Sequence, residues 1–242
     1  MQKRKGELLY EGKAKKVFAV EGRPMEVWVE YKDSLTAFNA QKTGSFSGKG
    51  AINAQITAFL YKILAQSGLR THWLEDINEH EMICTRLKII PLEVVTRNRL
   101  AGSTAKKLGK AEGTAMNKPL VEFYYKDDAL GDPFLSDDQA LLMGAVATQA
   151  ELEALKEKAL AVNKVLRTLF EKAGLELIDF KLEFGRDDKG EVVLADEISP
   201  DTCRLWDVKT GEKFDKDRFR RDLGRVEESY QEVLKRLKET AK

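Results

Sequence analysis

The stretch LELIDFKLEFGRDDKGEVVLADEISPD, residues 175 to 201, places ionisable groups at every second position of an otherwise apolar run. On a β-strand alternate side chains face opposite ways. Ile178, Phe180, Leu182 and Phe184 then make one apolar face, and Asp179, Lys181 and Glu183 make the other. A second strand, EVVLADEIS, follows a loop containing Lys189 and Gly190. With those two residues at the hairpin tip, Asp188 pairs with Glu191 and Glu183 falls directly opposite Asp196. Paired residues have Cβ atoms roughly 5 Å apart, so two carboxylates there repel unless a cation lies between them. One or two carboxylates completed by substrate phosphates and water are what Mg²⁺ prefers. A solvated charge ladder with Lys181 between two acids explains the alternation but not the opposition of Glu183 and Asp196. The pairing holds only if the register does not slip by one residue.

A second chemical segment is LLYEGKAKKVFAV, residues 8 to 20, where a small-residue turn with three lysines joins two apolar strands. A glycine turn lets backbone approach a ligand closely, and nearby N–H groups and ammoniums donate to phosphate oxygens. Gly12, Lys13 and Lys15 could therefore cover a nucleotide's phosphates; an exposed hairpin whose lysines keep a sheet edge soluble is the plainer alternative. The segment is not a Walker loop, and GSFSGKG at 44 to 50 is one residue short and ends in Gly50 instead of a hydroxyl. In PLEVVTRNRLAGSTAKKLG, Arg97 and Arg99 sit at a strand end and Ser103 near a helix start; Ser199, Asp201 and Arg204 follow the acidic hairpin. Arginine forks and helix-start N–H groups both bind phosphate or carboxylate, although a single arginine is more often a surface ion pair. His72, His80 and Cys84 match no zinc spacing.

The elements that must hold these residues are legible in outline. LLYEG, KKVFAV, EVWVEYK, EMICTRLKII and PLEVVTR read as strands. Ile52, Ile56, Phe59, Leu60, Ile63 and Leu64 recur at helical spacing before Gly68. A second helix opens on Thr148 and Glu151, read as a capping box, and carries Leu152, Leu155, Ala159, Val162, Leu166 and Leu169. A third runs through Val226, Tyr230, Val233, Leu234 and Leu237. With the helical stretch at Ser103, this is an α+β pattern, divided near Lys88 into parts spanning 1–88 and 89–242. Among 242 residues, 41 Lys and Arg stand against 40 Asp and Glu. That balance favours small anions over nucleic acid. No apolar run approaches the ~20 residues of a membrane span, and two cysteines, Cys84 and Cys203, suit a reducing cytoplasm.

Taken in order, LYEGKAKKVF, GKG, PLEVVTRNRLAGS, EFYYKDDALGDP, IDFKLEFG, DEISPDTCRLWD and FDKDRFRRDLG resemble the SAICAR synthetase family, the bacterial phosphoribosylaminoimidazole-succinocarboxamide synthases. The resemblance spans nearly the whole chain. It implies an enzyme that joins 5-amino-1-(5-phosphoribosyl)imidazole-4-carboxylate (CAIR) to L-aspartate while ATP becomes ADP and phosphate. It also implies Mg²⁺, a kinase-like N-terminal sheet packed on an ATP-grasp-like C-terminal part, and a possible homodimer. By resemblance, Gly12, Lys13, Ala14 and Lys15 form the phosphate loop, Lys126 binds the nucleotide, and Glu183 and Asp196 bind Mg²⁺. Arg97, Ser103 and Arg204 clamp the CAIR phosphate, Asp132 lies near substrate, and Lys13, Lys181 and Asp179 are catalytic. Two departures stand out: Ala40 in TAFNAQ occupies the place of a family glycine, and the RDDKG loop is one residue longer than in some relatives. A small-molecule kinase could use the same nucleotide site; a nucleotide- or RNA-binding module without turnover is the non-enzymatic alternative.

Overall fold

The alternating runs at the start of the chain pair as antiparallel strands. In a computed structural model, which describes residues 3–38 and 40–241, these are β1 (Lys5–Glu11), β2 (Lys15–Val20) and β3 (Glu26–Tyr31). A small hairpin follows, β4 (Ser34–Ala37) with β5 (Lys42–Ser45), and then helix α1 (Lys49–Gln66). β6 (Trp73–Asn78) and β7 (Glu81–Thr85) complete a five-stranded sheet in the order β1-β2-β3-β7-β6. A second sheet begins at β8 (Lys88–Arg99), followed by α2 (Gly102–Lys107), β9 (Ala115–Tyr125), β10 (Phe134–Leu135), α3 (Asp137–Leu142) and α4 (Gln149–Lys172). It closes with β11 (Leu175–Arg186), β12 (Val192–Ala195) and β13 (Cys203–Asp207), ahead of α5 (Asp217–Arg220) and α6 (Val226–Glu239). Its order is β10-β9-β8-β11-β12, with β13 on the other end of β11. The α+β class expected from the sequence is the one observed.

The large core lies between the second sheet and the helices α1, α4 and α6. Phe180, Leu182 and Phe184 enter it from β11 as the alternation required, leaving Asp179, Lys181 and Glu183 on the opposite face, but a register shift between Leu177 and Asp179 puts Leu177 in this core in place of the expected Ile178. Helix α1 is shared: Ile52, Ile56, Leu60 and Leu64 join that core, while Ala54 and Ala58 pack on the first sheet with Val27, Val29 and Met82. The small residue at Gly50 permits this, since a Cβ there would lie 2.6 Å from the Tyr31 carbonyl oxygen. The two sheets are also stitched by main chain, with His72 N–H donating to Leu194 O at 2.8 Å and Thr85 N–H to His72 O.

Local details differ from the sequence reading for identifiable reasons. β8 runs unbroken through Pro91, and the strand break falls at Arg86 and Leu87. The register of β8 against β11 shifts between Glu183 and Gly185, a bulge that tolerates proline. Beyond Lys88, α3 and α5 were not expected; at six and four residues they are too short to display an apolar period. Thr148 caps α4 by accepting from Glu151 N–H, but Glu151 does not complete a capping box. Its carboxylate accepts from Ala147 N–H at 2.8 Å and pairs with Arg186.

Ala40 has φ 62°, the left-handed conformation that glycine enters without a Cβ penalty. This accounts for the family glycine that the resemblance places there. Ala40→Gly should raise stability by roughly 0.5–1 kcal/mol, the relief of strain outweighing the extra unfolded-state entropy. Urea melts of the two proteins check it, and an unchanged midpoint would show that the β4–β5 turn is not strained.

Candidate active site

Two charged centres lie along the polar face of β11. At one end, Lys181 Nζ donates to Glu93 Oε1 and to Glu183 Oε1, each at 2.8 Å, and lies 4.0 Å from Asp196 Oδ2. Lys126 Nζ reaches the other oxygen of Glu183 at 2.5 Å. From the first sheet, Lys15 Nζ pairs with Asp196 and donates to Glu197 Oε1 at 2.9 Å. Glu197 also accepts from Ser199 Oγ at 2.6 Å, and Asp201, with both Lys49 and Tyr230 on it, continues this buried network.

The register that brings this about is not the expected one. Glu183 pairs with Ala195, and Asp187 N–H donates to Glu191 O, so the loop is three residues, Asp188 to Gly190, and each partner is one residue earlier than a two-residue tip implied. Asp196 lies just past β12 with φ 63°, and the left-handed turn swings its carboxylate back toward Lys15 and Lys181. Glu183 and Asp196 therefore share one charged cluster without being a cross-strand pair. The cations between them are lysine ammoniums. Glu183 is directly opposite Glu93 on β8, a second acidic pair that the sequence reading missed.

Burial opposes the charge on Lys15, but Asp196 and Glu197 outweigh it and hold the ammonium well above the usual lysine range. Lys181 is raised likewise by Glu183, then Glu93, against its burial. Asp196 is buried too, and Lys15 and Lys181 overcome that cost and depress its carboxyl. His72 Nε2 lies 3.2 Å from Asp196 O, and burial followed by the Lys15 charge lowers its pKa from 6.5 to about 4. Because the unfolded chain takes up that proton first, neutral His72 contributes stability above pH 6.5, which is lost as pH falls toward 4. The contribution is about 3 kcal/mol at most. His72→Asn should flatten the stability profile between pH 6.5 and 4 in urea titrations, while Asp196 acts only below its unfolded value of 3.8. An unaltered slope in the variant would assign the dependence elsewhere.

At the other end of β11, Asp179 is flanked by Arg97 on β8 and Arg204 on β13. Both guanidiniums donate to Asp179 Oδ2, at 2.6 and 2.8 Å. Arg97 is buried and also donates to Glu122 Oε2 at 2.6 Å; Arg204 donates to Asp217 at 3.0 Å. Arg204 lies against Gly102, where a Cβ would stand 2.6 Å from Nη2 and φ is 58°. This glycine begins α2, and the exposed Ser103 follows it. Along β11, Asp179 and Glu183 are four residues apart, a span of about 13 Å.

The expected residues are not all in these two centres. In the turn after β1, Gly12 N–H donates to Lys15 O and Lys32 N–H to Ala14 O, each at 2.8 Å. This directs Lys15 inward, whereas Lys13 is more exposed and pairs across to Asp128 at 2.5 Å. Asp132 braces the Asp128 loop, accepting from Asp127 N–H at 3.0 Å, and makes no contact with either charged centre. Arg99 pairs with Glu176 away from them. His72, His80 and Cys84 form no metal-ligating group among the described residues. Glu93 and Glu197 gave no spacing signal because their lysine partners are more than eighty residues distant.

An inward lysine hairpin facing clustered carboxylates, with an arginine pair about 13 Å away along β11, gives two separate groups of cations suited to anionic ligands. The SAICAR synthetase family model matches residues 8–237. The chain is 54% identical over 233 residues to phosphoribosylaminoimidazole-succinocarboxamide synthase of Wolinella succinogenes, covering 96% of this chain and 98% of the relative. The crystal structure of that synthase from Ehrlichia chaffeensis superposes with a TM-score of 0.93 at 45% identity, covering 96% and 98% of the two chains. A type-2 SAICAR synthetase in complex with ADP superposes with a TM-score of 0.91 at 44% identity, covering 96% and 97%. The chain belongs to the SAICAR synthetase family, the ATP-dependent, ADP-forming carbon–nitrogen ligases of purine biosynthesis.

Proposed function

We propose that this protein joins CAIR to L-aspartate at the expense of ATP, and that the polar face of β11 aligns the reacting groups. The observation that carries this is the pair of charged centres on one strand, arginines at Asp179 and lysines with carboxylates at Glu183. The nucleotide would lie between residues 1–88 and 89–242, with Gly12, Lys13, Ala14 and Lys15 over its phosphates and Lys126 beside them. Arg97, Ser103 and Arg204 would hold the CAIR phosphate, and Asp179 fixes the two guanidiniums in one orientation. Binding energy at that remote phosphate then positions the carboxylate that reacts.

The oxygens of Glu183 and Asp196 converge on a single ammonium, that of Lys181, and such hard donors suit Mg²⁺. Glu183 and Asp196 would hold the ion, which supplies charge neutralisation for the nucleotide phosphates. A free carboxylate resists amines because its leaving group would be oxide. In-line transfer of the γ-phosphoryl to the CAIR carboxylate converts that oxygen to phosphate, which the aspartate amine displaces. Lys181 would stabilise charge on the transferring group, and Lys13 would close the nucleotide side. Asp132 would act through the Asp128 loop that Lys13 meets. The free, buried thiols of Cys84 and Cys203 suit a cytoplasmic protein, and the family resemblance favours a homodimer.

An ADP-release assay with CAIR, aspartate and Mg²⁺, omitting one component at a time, tests the reading. With ¹⁸O in the CAIR carboxylate, label should appear in the released phosphate; unlabelled phosphate would eliminate the acyl phosphate. A small-molecule kinase would instead release ADP with a hydroxyl acceptor and form no amide. A binding module would form no ADP.

A further inference from the structure

We propose that Lys126 and Lys181 are resident cations that occupy the metal carboxylates in the nucleotide-free protein, so that divalent ion and nucleotide enter together by exchanging partners with existing ion pairs. This rests on the assignment of Glu183 and Asp196 to the metal.

Both oxygens of Glu183 are taken, Oε1 by Lys181 at 2.8 Å and Oε2 by Lys126 at 2.5 Å. Asp196 is held by Lys15, with Lys181 4.0 Å from its other oxygen. Each ammonium that would meet a phosphate is thus already neutralised by a carboxylate. Five lysines (15, 49, 126, 181 and 216) face five acids (Glu93, Glu183, Asp196, Glu197 and Asp201), a local balance of 5 − 5 = 0. A nucleotide arriving alone brings negative charge to a balanced cluster, and by drawing off the lysines it strips Glu183, only 4% exposed, of its partners. A divalent ion arriving alone must displace ammoniums that stay beside it. Leaving one member of a buried pair uncompensated is strongly unfavourable. When both arrive, the ion takes the carboxylates and the phosphates take the lysines, and every charge keeps an opposite neighbour.

The test is a titration of the full-length protein with Mn²⁺, reading free Mn²⁺ by electron paramagnetic resonance, without nucleotide and with saturating ADP. ADP and Mn²⁺ without protein serve as reference. Wild type should bind Mn²⁺ at least tenfold more tightly with ADP than without. Lys126→Met should tighten Mn²⁺ binding in the absence of nucleotide by about tenfold, since it frees one oxygen of Glu183. The Lys126 side chain is 40% exposed, so the fold tolerates its loss. Lys181→Met is the second such variant, and Glu183→Gln should weaken Mn²⁺ binding under both conditions. Equal affinity with and without ADP in wild type, or no tightening in either lysine variant, overturns the exchange. If the protein with ADP holds no more Mn²⁺ than ADP alone, the metal assignment itself falls, and the exchange with it.

Discussion

Glu183→Gln is expected to lower turnover by about a thousandfold, near the upper range for losing one preorganised electrostatic group. The amide keeps the shape of the carboxylate but removes its charge. The amide offers one oxygen to two ammoniums, so either Lys126 or Lys181 loses the acceptor it has at 2.5 or 2.8 Å and meets an NH2 donor instead. Because the site residues at the arginine end are about 13 Å away along β11, the KM for CAIR should change little. Steady-state kinetics with each substrate varied in turn will check this, with circular dichroism to confirm that the variant is folded. A mutant with near-normal kcat would remove Glu183 from the chemistry and leave it as a structural ion pair.

Arg204→Ala should act in the complementary way, raising the KM for CAIR roughly 10- to 150-fold while the KM for ATP stays within about twofold. The range corresponds to a charged hydrogen bond of about 1.5–3 kcal/mol. Arg204 spans two acids, Asp179 at 2.8 Å and Asp217 at 3.0 Å, and they outweigh the cost of its burial so that its charge is held firmly. Arg204→Lys should recover only part of the loss, because a single ammonium cannot reproduce a planar fork reaching both carboxylates. Equal damage to the ATP and CAIR constants would mean that the substitution disorders the whole sheet face. An unchanged CAIR constant would take Arg204 out of the phosphate clamp.

These two variants separate because one strand carries both ends of the site, and much of that strand was readable in advance. A period of two on β11 follows from strand geometry alone, so apolar Phe180 to Phe184 and polar Asp179 to Glu183 had to part, whereas the irregularity that puts Leu177 in the core in place of Ile178 gave no such signal. The inward Lys15 and outward Lys13 do not follow from alternation, which puts i and i+2 on one face; the turn at Gly12 and Ala14 separates them. Helix α1 was visible by its spacing, although its second contact, Ala54 and Ala58 against the first sheet, was not. Alanines at a helical repeat carry no sign of which neighbour they will meet.

What the amino-acid order determined was which side chains share a face, since that is set within a few residues by backbone geometry. The meeting of Arg97 and Arg204 on Asp179 was decided by strand order, because β8 and β13 lie on either side of β11 only after the sheet assembles. The relation of Glu183 to Asp196 was likewise tertiary. A one-residue slip at the hairpin tip sets Ala195 opposite Glu183, and the φ of 63° at Asp196 returns its carboxylate to the cluster. Local periodicity places a charge on a surface; long-range pairing brings most of its partners, and here those partners are lysines from the start of β2, the end of β9 and the middle of β11.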